Sequence, residues 1–109
     1  MALHHPTSGE VVRLQASDGT RALVKTTSFE TVHLVVKAGE AIPPHKVAGA
    51  ITLYCIDGAL AIEIDGAARR MGRGDWLYLD PSVPHALRGD VDSALLLTIL
   101  FDGANGKTA

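Results

Sequence analysis

The chain has 109 residues, 10 basic and 12 acidic side chains for a net charge of −2, and a 47% apolar fraction. That suffices for one domain with its own core and leaves little room for a second, since folding at this size removes roughly 60 to 70% of the unfolded surface from water. The near-balanced charge makes no field that would gather a nucleic acid or an anionic membrane, and the single cysteine, Cys55, excludes an internal disulfide and any paired-thiol motif.

The opening MALHHPTSGE lacks the apolar stretch of a signal peptide, and the longest apolar run, 94–101, is interrupted by Thr98 and too short to span a bilayer. A soluble protein in a reducing, cytoplasmic setting is the expectation. One domain is placed over 1–109, with its core at about 10–101 and flexible ends at 1–9 and 102–109. His4 and His5 fall in the first of these ends and are weak candidates for any site.

Eleven glycines and five prolines cut the chain into short segments whose apolar residues recur at every second position, the period of a strand. In chain order, strands are predicted over 11–16, 21–26 and 31–37. In the third, Val32, Leu34 and Val36 oppose Thr31, His33, Val35 and Lys37. Residues 51–56 set Ile51, Leu53 and Cys55 against Thr52, Tyr54 and Ile56, and residues 59–65 gather Leu60, Ile62 and Ile64 on one face. Asp57-Gly58 and Asp65-Gly66 end these runs and predict two consecutive tight hairpins, a meander continued by 67–71. Strands over 75–79, 84–88 and 93–101 complete the set. No window has the periodicity of an amphipathic helix, so the pattern points to an antiparallel sandwich or barrel.

The last strand is apolar on both faces, with Ala94, Leu96 and Leu100 opposed to Leu95, Leu97 and Ile99, where a sheet with one wet face would alternate. A second copy of the chain is expected to cover the outer face, giving a homodimer; an N-terminal segment folded over it is the alternative.

The strongest chemical signal lies in two segments. The first runs Gly39, five residues, His45, one residue, Val47, three residues, Ile51, six residues, Gly58. The second is Gly74-Asp75-Trp76-Leu77-Tyr78-Leu79-Asp80-Pro81-Ser82-Val83-Pro84-His85. Together they resemble the two motifs of the cupin family, with Gly39, His45, Gly58, Gly74 and His85 at family positions. Val47 stands where the family has a second His, Ile51 where it has Glu, Asp80 and Ser82 where it has Pro and Gly, and Gly89 where it has Asn. The phrasing around Pro43-Pro44-His45 and over 92–99 is similar to small single-domain bacterial cupins. The resemblance implies an all-β fold, an antiparallel jelly-roll (double-stranded β-helix) cupin barrel, closed around a pocket and usually dimeric. Complete cupin sites hold a divalent metal with three His and one Glu.

Residues 45, 47 and 51 share parity, so an unbroken strand would turn all three inward. The expected pocket is lined by His45, Val47, Ile51, Leu53, Trp76, Tyr78 and His85, with His45 and His85 as its principal polar groups. Two imidazoles fall short of the three or four protein ligands of zinc sites and of the two His and carboxylate of mononuclear iron. A third donor would have to come from His33, Glu63, Asp80 or Tyr54. Simpler roles exist for most of these: His33 shares a face with Lys37 as a solvated strand residue, Glu63 is a charge in water, and Asp80 caps a turn.

Three functional readings follow. Without a third donor, His45 and His85 line a pocket for a small, largely apolar molecule, as in a sensor or carrier. With one, they are ligands to Fe, Mn, Ni, Cu or Zn in an oxygenase or isomerase. In the third, the pocket is vestigial and the chain is a dimerisation module. Trp76 and Tyr78 either stack a ligand or fill core or interface. Cys55 is expected to be buried and inert, and Arg69, Arg70 and Arg73 form a solvated turn. Gly72-Arg73-Gly74 lacks the third glycine and the helix of a dinucleotide site, and there is no Gly-x-Ser-x-Gly elbow.

Overall fold

The computed structural model describes residues 5–101, so the expectations for His4 and for the tail 102–109 lie outside the described residues. After a short 3-10 turn at Ala16–Asp18 come nine strands: β1 Arg21–Lys25, β2 Phe29–Val36, β3 Ala41–His45, β4 Ile51–Asp57, β5 Ala59–Ile64, β6 Ala67–Gly72, β7 Trp76–Leu79, β8 His85–Gly89 and β9 Ser93–Leu100. They form two antiparallel sheets, a larger one in the order β1-β2-β9-β4-β7 and a smaller one in the order β3-β8-β5-β6. The chain crosses repeatedly between the sheets, which makes the all-β fold a jelly-roll barrel rather than a stack of hairpins.

Strand alternation fills the space between the sheets. Ile51, Leu53 and Cys55 of β4 meet Leu79 of β7 and Leu95 of β9 on the larger sheet's inner face, and all are buried. Leu60, Ile62 and Ile64 of β5, Met71 of β6 and Leu87 of β8 supply the smaller sheet's share. Each fully buried aliphatic side chain of this kind contributes about 1.5 to 3 kcal/mol.

The predicted meander is corrected. Asp65-Gly66 does close the β5–β6 hairpin, with positive φ at both residues, 51° and 84°, and Ile64 paired to Ala67. Asp57-Gly58 instead carries the chain from the larger sheet to the smaller, since β4 pairs with β7 and β9 and β5 with β6 and β8. Gly58 has φ 102°, and a Cβ there would lie 2.3 Å from Ser93 Oγ and 2.7 Å from the Asp92 carbonyl oxygen. Ser93 is buried; its Oγ accepts from the Ala59 N–H at 3.1 Å and lies 2.9 Å from the Val91 carbonyl and 3.1 Å from that of Ala59.

The predicted strand at 11–16 is also corrected: these residues join no sheet. Ala16 instead opens the 3-10 turn, and Val12 and Leu14 line a surface cleft with Leu23, Val24 and Leu96 on the outer face of the larger sheet. The N-terminal segment thus covers part of β9's outer face. On the same outer face His33, expected to be solvated, is fully buried, paired across the β1–β2 ladder with Arg21. Burial pushes its imidazole below the ordinary value of 6.5; the Asp18 carboxylate opposes this, Arg21 reinforces it and the Gly19 backbone opposes it.

Two outcomes are expected. Gly58→Ala combines a positive φ with a backbone clash and should cost at least about 2 kcal/mol, lowering Tm by roughly 10 °C in a calorimetric scan. For His33, the unfolded chain takes up a proton as pH falls through about 6.5 while the folded chain resists it to lower pH. Its contribution to stability is therefore complete above that value and declines across the window below it. Urea midpoints measured from pH 8 to pH 5 should fall more steeply for the wild type than for His33→Leu, and parallel slopes would contradict the burial argument.

Candidate functional site

β3 is an edge strand that contains Pro43 and Pro44, and sequence patterning missed it for that reason. Proline cannot donate to a ladder and is tolerated only at such an edge, where β3 pairs on one side with β8 and slips register between Ile42 and His45. The ladder sets His45 directly opposite His85. Their ring centroids stand 4.5 Å apart with the planes tilted by 55°. His85 is buried, 6% exposed, while His45 at the edge is open to solvent.

Both rings are held alike. Nδ1 of His45 lies 3.1 Å from the Pro43 carbonyl oxygen, and Nδ1 of His85 lies 3.0 Å from the Val83 carbonyl oxygen. Each carbonyl belongs to the residue two back, and in each case the intervening residue is proline, Pro44 or Pro84. Proline fixes its own φ and biases its predecessor to extended backbone, which favours a carbonyl facing the ring that follows. The repeated Pro-His dipeptide is the signal by which the sequence could have given this geometry.

The two rings sit on a cavity of about 180 Å³ between the sheets. Its other walls are Ile42 and Leu87 from the smaller sheet and Leu34, Ile51, Leu53 and Leu97 from the larger. The expected residues His45, Ile51, Leu53 and His85 therefore come together. The others do not. Val47 lies in the loop after β3, packed against the core, its carbonyl accepting from the Ser82 N–H at 2.8 Å. The unbroken strand assumed for 45, 47 and 51 is in fact interrupted between β3 and β4.

Trp76 and Tyr78 are corrected as well. The β4–β7 register pairs Leu53 with Leu77 and Ile51 with Leu79, so it is the leucines of β7 that face inward. Trp76 and Tyr78 alternate to the outside and are 63% and 46% exposed. The Asp80 carboxylate takes a hydrogen bond from the Tyr78 hydroxyl on this outer side and raises its pKa.

None of the proposed third donors reaches the imidazole pair. His33 and Tyr54 lie on the outer face of the larger sheet, Glu63 on the outer face of the smaller, and Asp80 is exposed beside Tyr78. No group of three or more His, Cys, Asp or Glu side chains able to hold a metal exists among the described residues. The donor set at the cavity, two imidazoles among aliphatic side chains, does not fit a metal held by three His and one Glu. Cys55 is buried and its thiol pushed up by burial, so it offers no ready thiolate. Arg70 pairs with Asp90 on the surface.

Comparison with known proteins agrees with this architecture. The family described as Cupin domain matches residues 32–101. No curated protein matches the chain. A conserved protein of unknown function from Streptococcus pyogenes superposes with a TM-score of 0.75 at 20% identity, over 92% of this chain and 96% of that one. A cupin superfamily protein from Desulfitobacterium hafniense gives a TM-score of 0.75 at 16% identity, over 90% and 95%. Salicylate 1,2-dioxygenase from Pseudoaminobacter salicylatoxidans, in complex with gentisate, gives 0.70 at 16% identity, over 73% of this chain and 24% of its own.

Proposed function

The chain belongs to the cupin family, whose profile spans residues 32–101, and from that premise we propose that it binds a small, largely apolar molecule in the barrel beside His45 and His85. One observation carries the reading: among the described residues, two adjacent imidazoles are the only polar side chains on a cavity of about 180 Å³ whose remaining walls are Leu and Ile. Apolar walls supply affinity by removing ligand surface from water, and a few fixed polar groups orient what enters. A cupin-fold neighbour described in complex with gentisate supports a small molecule as the occupant, though gentisate is a carboxylate and so does not bear on the apolar character proposed for this one. A cytoplasmic setting is consistent with the unpaired Cys55.

Protein purified without a histidine tag or chelator should carry Fe, Mn, Ni, Cu and Zn well below one equivalent by elemental analysis, with no change on His45→Ala. A near-stoichiometric metal lost in both His45→Ala and His85→Ala would replace this reading with the metal-dependent oxygenase or isomerase. A ligand present at a hundred times its Kd should stabilise the fold by about 2.7 kcal/mol in a thermal scan.

The partner proposed for the outer face is a second copy of the chain. Beyond the part covered by the N-terminal segment, Tyr54, Trp76, Tyr78 and Leu100 are 41%, 63%, 46% and 42% exposed on that face. Apolar and aromatic residues gathered in this way favour an isologous contact. Sedimentation velocity should show a dimer that Trp76→Asp converts to monomer; an unaltered profile in the variant would count against this surface.

A further inference from the structure

We infer that the ligand of the barrel presents a hydrogen-bond donor, a neutral O–H or N–H, to the two histidines, rather than a carboxylate or another anion; this rests on the reading of the cavity as a binding site. A carbonyl oxygen can only accept, so a ring nitrogen 3.1 Å from the Pro43 oxygen, or 3.0 Å from the Val83 oxygen, must carry the proton. A neutral imidazole has one N–H. With that proton fixed on Nδ1, the Nε2 on the far side of each ring is a lone-pair acceptor.

Because both rings line the cavity, an Nε2 turned toward it presents a lone pair, and among the described residues no other side chain on its walls carries a donor. Its other walls, Leu34, Ile42, Ile51, Leu53, Leu87 and Leu97, offer neither hydrogen bonds nor charge. An anion entering here would give up its hydration without a cationic partner, and its lone pairs would face those of Nε2. A hydroxyl or amine would instead complete the unused valence of one ring or bridge both. Size narrows the class further, because apolar cavities of about 150 Å³ admit benzene. A space of about 180 Å³ takes a single ring with one or two small substituents, or an aliphatic alcohol of similar bulk.

Phenol, toluene and benzoate test this on the intact chain at pH 7.5. They share a ring and differ in offering a donor, nothing, or an anion. Titrations followed through the methyl resonances of Ile51, Leu53 and Leu97 give the three affinities, and long-range ¹H–¹⁵N spectra of the imidazoles give the tautomers. The expected result is Nδ1–H in both rings, phenol at least about tenfold tighter than toluene, and benzoate weakest. His45→Leu, at the exposed edge and so least disruptive to folding, should cut phenol affinity severalfold and leave toluene nearly unchanged. Nε2–H tautomers, toluene equal to phenol, or benzoate tightest would overturn the donor assignment and leave the cavity reading standing. If none of the three shifts those methyl groups, the binding site itself is wrong, and the donor assignment falls with it.

Discussion

The passage from β4 to β5 at Gly58 is the constraint on which the rest depends. Had Asp57-Gly58 closed a hairpin, β4 and β5 would lie side by side in one sheet and their apolar faces could not meet across a barrel. Instead the backbone turns through a φ of 102° against Ser93, whose hydroxyl binds the Ala59 N–H and sits against two carbonyls. The inner face of Ile51, Leu53 and Cys55 is thereby set opposite Leu60, Ile62 and Ile64 across the barrel. That buried hydroxyl ties the first residue of β5 to the connection leading into β9, and leaving these groups unpaired would cost about 1 to 3 kcal/mol. The cavity is the part of that inter-sheet space, toward the β3–β8 end, which the aliphatic side chains leave unfilled.

Given the barrel, the chemistry of the site follows from a local device used twice. Pro44-His45 and Pro84-His85 each return the imidazole to the carbonyl two residues back, and the ladder then sets the two devices opposite one another. The edge position of β3 serves this in two ways. It tolerates the prolines that a central strand would reject, and it leaves His45 open to solvent while His85 stays buried.

Much of this was legible in the residues. The period-two faces of 51–56 and 59–65 gave the core side chains that the barrel buries, and the spacing from Gly39 to His45 and from Gly74 to His85 gave the family and the pair. Errors arose where a local rule met a tertiary demand. Asp-Gly is a hairpin signal by its backbone preference, but the same freedom serves a crossing between sheets, and only the fit against Ser93 distinguishes them. The aromatic character of Trp76 and Tyr78 fits a pocket wall, a core or an interface equally, and only the pairing of Leu53 with Leu77 decides the parity of β7 and turns both rings outward. His33 shares its face with Lys37, yet the first is fully buried beside Asp18, Gly19 and Arg21 and the second is exposed. That difference depends on residues far from either in sequence. Gly89, at the family's Asn position, has a steric cause that was equally invisible: a Cβ there would lie 2.5 Å from the Lys37 carbonyl oxygen.

The departures from the cupin motif are best understood through what the histidine lock does not require. A hydrogen bond from Nδ1 to a backbone carbonyl fixes the tautomer and aims Nε2, as it does for metal-ligating histidines generally. Nothing in that arrangement specifies what Nε2 meets. With carboxylate and imidazole neighbours, the lone pairs would join a charged ligand set and the surroundings would have to be polar. With Ile51 on the cavity wall and Val47 withdrawn into the core-packed loop, the same lone pairs face an aliphatic space in which a charge is costly and a single hydrogen bond is strong. On the proposed reading, replacing two donors by aliphatic groups leaves the orienting scaffold intact and changes the occupant from a cation held by many donors to a neutral molecule oriented by two acceptors.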